Sequence, residues 1–128
     1  MKFLIVFLGA GIGGAARYGT GLLFARFAAL TVFPISTFIV NIVGSLLMGL
    51  IIGFFTTRGG QEAVLSDSWK LFLTTGIMGG FTTFSAFSLE TVLLMENGDI
   101  GTALVYILSS VILGATALLA GLYLMRLI

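Results

Sequence analysis

The sequence predicts an all-α integral membrane protein with four transmembrane helices, the third broken in mid-membrane. Three observations carry that reading. Apolar residues make up 59% of the 128 and charged residues only 9%, whereas a soluble globular chain carries roughly 25% charged residues. Six basic and five acidic side chains cannot clothe a surface that faces water. Four apolar runs, 3–27, 35–55, 71–95 and 100–125, each match the ~20 residues that cross a bilayer core. The third run also holds a glycine pair and a cluster of hydroxyl residues near its middle, where a plain span would be apolar.

In the first run, Gly9-Ala10-Gly11-Ile12-Gly13-Gly14 literally fits G-x-G-x-x-G. A dinucleotide fingerprint needs a strand before it, a helix after it and an acid about 20 residues on, and none is present. Gly9 and Gly13, like Gly49 and Gly53, are instead spaced as a small-residue helix face for close packing. Arg17 lies deeper in the same run. A charge at the bilayer centre costs roughly 2.5–3.5 kcal/mol on insertion scales, so Arg17 faces a cavity or partner, or snorkels to an interface. In a cavity it would draw anions into a wet vestibule.

Thr31–Ser36, with the only proline at Pro34, ends the first run. The second run carries Asn41, whose amide must find a partner in lipid, either a neighbouring helix or a passing ligand. Polar residues gather again over Thr56–Lys70, among them Arg58, Gly59, Gly60, Gln61 and Glu62. The third run contains Gly79-Gly80-Phe81-Thr82-Thr83-Phe84-Ser85-Ala86-Phe87-Ser88. Glycines disfavour helix, and a break at Gly79–Thr82 would expose carbonyls of the kind that hold ions at membrane depth. The other reading is a tight helix crossing whose hydroxyls bond back to their own carbonyls. Phe84 and Phe87 share a helix face, and aromatic ring edges are electropositive, so they can line an anion's path or simply meet lipid. Glu90 is the deepest acid, open to roles as proton relay, partner of Arg17 or interfacial group. Glu96-Asn97-Gly98-Asp99 is a turn. In the fourth run, Tyr106 and Ser110 point the same way, near Ser109 and Thr116.

Absences narrow the chemistry. Without Cys or His there is no disulfide, no thiolate nucleophile and no usual general base. A net charge of +1 offers nothing to nucleic acid. No A-x-A site follows the first run, which reads as a retained span, and no period-two alternation suggests a barrel. The chain forms one domain over 1–128 with both termini on one side of the membrane. Lys2, Arg58, Lys70 and Arg126 on that side, against Arg26 on the other, favour cytoplasmic termini.

Taken together, these residues resemble the Fluc (CrcB) family of small bacterial fluoride channels. The stretch Gly79–Ser88 matches that family's G-G-x-[TS]-T-F-S-[TA]-F-S pattern, with Glu90 in its expected place. Gly14-Ala15-Ala16-Arg17 resembles its first-span motif, and Thr37 to Gly44 its T-x-x-x-N-x-x-G stretch. The resemblance implies an antiparallel (inverted) homodimer in the bacterial inner membrane, with two fluoride pathways and no enzymatic activity. It implies a structural sodium ion (Na+) held by the backbone carbonyls of Gly79 and Thr82 of both copies. It places Asn41, Phe84 and Phe87 on the pore, with Thr83, Ser85, Ser88, Tyr106 and Ser110 along a polar track and Arg17 in the vestibule. Fluoride is small and tightly hydrated, so such a pore must replace water with weak, multiple donors rather than strong cations. The rival readings are a proton-coupled four-helix exporter that uses Glu90 and a non-transporting assembly subunit.

Overall fold

The computed structural model describes residues 1–58 and 63–128; Gly59, Gly60, Gln61 and Glu62 of the second connection lie outside the described residues. Helix α1 runs over Lys2–Ala28, α2 over Ile35–Arg58 and α3 over Ala63–Leu71. A π-helical stretch, Phe72–Met78, leads into the short α4, Gly79–Phe81; then come α5, Phe84–Glu96, and α6, Ile100–Leu127. Four stretches are long and apolar enough to cross a membrane: Lys2–Ala28, Ile35–Thr57, Asp67–Glu96 and Ile100–Leu127. They agree with the expected runs to within a few residues at each end. Large apolar side chains such as Phe3, Leu23, Val105 and Leu119 project outward, as lipid rather than water demands of a helix surface.

With no hydrophobic drive between helices in lipid, association rests on close van der Waals packing. The glycines provide it. Helix α2 packs along α6, and α1 packs along the π-helical stretch and α4. A Cβ on Gly121 would meet the Leu46 carbonyl and lie 2.8 Å from the Leu50 nitrogen, while one on Gly53 would lie 2.7 Å from Met125 Cβ. On α1, a Cβ on Gly9 would come within 2.8 Å of the Gly76 Cα, and one on Gly13 would strike the Ile77 carbonyl. The expected small-residue faces are therefore helix contacts. Between α5 and α6, Gly98 turns the chain at φ 80°, and Asp99 caps α6 by accepting from the Thr102 amide at 3.2 Å. The buried cluster Leu94, Ala103 and Tyr106, with Phe33, Phe38 and Phe87 against it, knits the same end together.

The third span is broken, but not at the glycine pair. Gly79 keeps helical angles (φ −62°, ψ −36°), and the chain leaves the helix at Thr82 (φ −76°, ψ 161°) and Thr83 (φ −152°, ψ 126°). The expectation of a break spanning Gly79–Thr82 is corrected on this point. Gly80 serves close approach, lying against the backbone of Ala10, whereas two β-branched residues take the extended angles that suit them. The preceding π-helical register, in which the Gly79 amide reaches Thr74 O as well as Gly76 O, had no counterpart in the sequence reading.

Adjacent glycines on α1 test this packing. Gly13→Ala places a methyl against the third span and should lower stability by about 1–3 kcal/mol. Nothing lies within 4 Å of a Cβ on Gly11, so Gly11→Ala should be neutral or gain up to ~1 kcal/mol of helix propensity. Thermal denaturation in detergent micelles, followed by circular dichroism, measures both.

Candidate functional site

A helix interrupted inside a membrane leaves peptide groups that water cannot satisfy, and the residues around Thr82–Thr83 meet that demand one by one. The Thr82 amide and hydroxyl both donate to Met78 O, at 3.0 and 2.9 Å. From α2, Asn41 pairs with both backbone polar groups of Thr83: its Oδ1 accepts from the Thr83 amide at 2.9 Å, and its Nδ2 donates to the Thr83 carbonyl at 3.0 Å. Thr83 Oγ1 accepts from the Ala86 amide at 3.2 Å, so it caps α5, and it pairs with Ser85 Oγ at 3.2 Å. From α1, Arg17 Nη1 donates to the Thr82 carbonyl at 3.2 Å. Because the Thr83 amide has turned to Asn41, the Gly79 carbonyl receives no i+4 helical amide from it.

Beside the break lies a groove of about 350 Å³, open along one side, whose walls include Asn41, Ser45, Thr82, Thr83, Phe84, Phe87 and Ser110. One of the two Asn41 N–H groups is committed to Thr83, and Asn41 also lines the groove. Ser110 Oγ is buried and has no hydrogen-bond partner among the described residues. The Phe84 and Phe87 rings sit 5.8 Å apart, tilted by 40°. Phe87 is half-buried against Tyr106 (5.0 Å), while Phe84 is 79% exposed on this chain. Amide and hydroxyl groups and two aromatic rings thus line the groove together.

Other expected site residues lie elsewhere or are already engaged. Tyr106 is fully buried, and its hydroxyl donates to Glu90 Oε2 at 2.7 Å; Thr37 donates to Glu90 Oε1, also at 2.7 Å. Glu90 is therefore engaged by these two hydroxyls rather than by Arg17, whose guanidinium goes to Thr82. It is the acceptor centre of a hydroxyl cluster next to Phe87. Ser88 bonds back to Phe84 O at 2.9 Å, as do Ser109 to Val105 O (2.6 Å) and Thr116 to Ile112 O (2.7 Å). No role had been read for Thr37, although it lies one turn before Asn41 on the same face of α2; that spacing was the available signal. Among the described residues no group of three or more acidic, His or Cys side chains could hold a metal. Gly79 is exposed on this chain, and the Thr82 carbonyl accepts only from Arg17 among the hydrogen bonds described above.

Fold and site together define a multi-pass integral membrane protein with a polar interruption inside the bilayer. The chain belongs to the CrcB family: the family model described as CrcB-like protein, Camphor Resistance (CrcB) matches residues 4–122. Relatives cover it almost completely. It is 52% identical to the fluoride-specific ion channel FluC of Methylobacterium nodulans, over 98% of this chain and 97% of the relative. Identity is 47% to the fluoride-specific ion channel FluC 2 of Nitrobacter hamburgensis, over 98% of both chains. It is 52% to the FluC channel of Granulibacter bethesdensis, over 98% of this chain and 95% of the other. These relatives are ion channels, not enzymes.

The pairing of Asn41 with Thr83 predicts an ordered response. Asn41→Asp keeps the acceptor for the Thr83 amide but deletes the donor to its carbonyl; Asn41→Leu deletes both. An unsatisfied buried group costs about 1–3 kcal/mol, so amide exchange at Thr83 should quicken from parent to Asn41→Asp to Asn41→Leu. Hydrogen exchange read by mass spectrometry in nanodiscs measures it.

Proposed function

We propose that the chain is a fluoride channel of a bacterial inner membrane, which lets fluoride leave the cytoplasm passively and so lowers its toxicity. The observation that carries this reading is the groove beside the break. A second Asn41 N–H, the unpartnered Ser110 hydroxyl and the Phe84–Phe87 ring edges offer a small anion positive poles without a fixed cation in its path. The names of the relatives support the same ion.

A groove open along one side needs a further wall. The exposure of Phe84 (79%) and of Gly79 supports closure by a second copy, and an inverted homodimer would enclose two pathways. The carbonyls of Gly79 and Thr82 suit a structural sodium ion shared between the copies: they are oxygen donors, the Gly79 carbonyl lacks its helical amide, and a carbonyl has two lone pairs, of which Arg17 uses one on Thr82. When bound, sodium would supply positive charge that offsets the cost of an anion at membrane depth. In this reading Asn41, Phe84, Phe87 and Ser110 contact fluoride. Thr83 and Ser85 shape the entrance to α5, and Ser88 borders the track. Tyr106, with Glu90 and Thr37, holds Phe87 in place.

Efflux from proteoliposomes loaded with potassium fluoride, read with a fluoride electrode, tests the proposal. The parent should release fluoride at a rate that a pH gradient does not alter; strict dependence on the gradient would instead favour a proton-coupled exporter that uses Glu90. Phe84→Ile and Phe87→Ile keep bulk but remove an edge contact of about 1 kcal/mol, and each should sharply reduce the flux, whereas Phe54→Ile outside the groove should not. Prolonged replacement of sodium by a large organic cation on both sides should silence the parent. Unchanged flux in all three Phe variants would defeat the aromatic pathway, and unchanged flux after sodium removal would defeat the structural ion.

A further inference from the structure

Three features of α1 lie on one face: Gly9, Gly13 and Arg17 follow at intervals of four residues. The two glycines bring the α1 backbone against that of the third span, at Gly76 and Ile77. One turn further on, that close approach delivers the guanidinium to the Thr82 carbonyl, 3.2 Å away. Thr82 follows the last helical residue of α4. It caps α4 in an extended conformation (ψ 161°), so its carbonyl is turned out of the helical direction and takes no part in the helix ladder. Arg17 is only partly buried, yet its hydrogen bond goes to backbone rather than to any side chain of the groove.

We infer that Arg17 is a positioning residue, set in depth by Gly9 and Gly13, that fixes the direction of the Thr82 carbonyl at the break. This deepens the reading above and rests on it in one respect: if Thr82 is a sodium ligand, Arg17 holds that ligand in place, and its main task is not to recruit the anion. A guanidinium is planar and reaches the carbonyl from one side, so it takes one lone pair and leaves the other pointing away. Lysine keeps the charge but is a shorter point donor without that geometry. Methionine removes charge and donor while keeping most of the bulk.

The test uses the full chain in nanodiscs, with Arg17→Lys and Arg17→Met beside the parent. Loss of a hydrogen bond to a charged group should raise the sodium concentration that half-stabilises the protein against heat by about tenfold or more in both variants. The fluoride concentration for half-maximal flux should stay within about twofold, well short of the tenfold that 1.4 kcal/mol would give. Amide exchange over Thr82–Ala86 should quicken while exchange in α6 stays as in the parent, which shows that the fold is intact. An unchanged sodium response with a shifted fluoride dependence would overturn the inference, because that is how an anion recruiter behaves. Tighter sodium binding in Arg17→Met would overturn it too, since charge repulsion would then outweigh alignment. If the parent itself ignores sodium, the sodium reading fails separately, and exchange at Thr82–Ala86 decides on Arg17: equal rates in parent and variants would refute its role.

Discussion

Inside a bilayer an unpaired peptide group has no water to turn to and costs several kcal/mol, and the arrangement of this protein follows from how that constraint is met at two threonines. Breaking the third span at Thr82–Thr83 frees carbonyls and amides in the middle of the bundle. Asn41 reaches them from α2 and Arg17 from α1. Each must come from a fixed height on its own helix. That requirement explains why glycines line the contacts: side chains of ordinary size would hold α1 too far from the span for the guanidinium to reach Thr82.

The same break creates the chemistry. Where the helix departs, the chain opens a groove lined by Asn41, Ser45, the two threonines, the buried and unpartnered Ser110 hydroxyl, and two phenylalanine rings. A series of weak donors binds an anion without immobilising it. Glu90 does not line the groove; it accepts two short hydrogen bonds, from Thr37 and Tyr106. The tyrosine that serves it also packs on Phe87 and Phe33. One buried side chain thus links the acidic cluster to the position of a groove ring.

Much of the fold was legible in the sequence because spans are a matter of run length, and the punctuation at Pro34 and at Gly98-Asp99 is local chemistry. The glycine spacing foretold close packing for the same reason. What could not be read is what depends on neighbours distant in the chain. Arg17 and Thr82 are 65 residues apart, and Thr37 and Glu90 are 53 apart; position along a helix gives depth and face but no partner. The break lies just beyond the glycine pair because glycine was needed for approach to α1, a tertiary demand that overrode its local preference. The π-helical register of Phe72–Met78 also has no composition signature. Asn41 was legible as a residue that must find a partner, and the structure supplied that partner while leaving one donor over.

The central claim is that ions pass through the groove beside the break, and the absence of cysteine from the chain allows a direct test. A single Ser110→Cys substitution puts a thiol among the residues that line the groove, while Val105→Cys puts one outside it, at a side chain that is 59% exposed on this chain. Fluoride efflux is measured before and after complete reaction with a small methanethiosulfonate reagent, with labelling counted by mass spectrometry. The account predicts that modification at Ser110 stops the flux, that fluoride slows the modification, and that modification at Val105 changes nothing. Full labelling at Ser110 with undiminished fluoride efflux would contradict it.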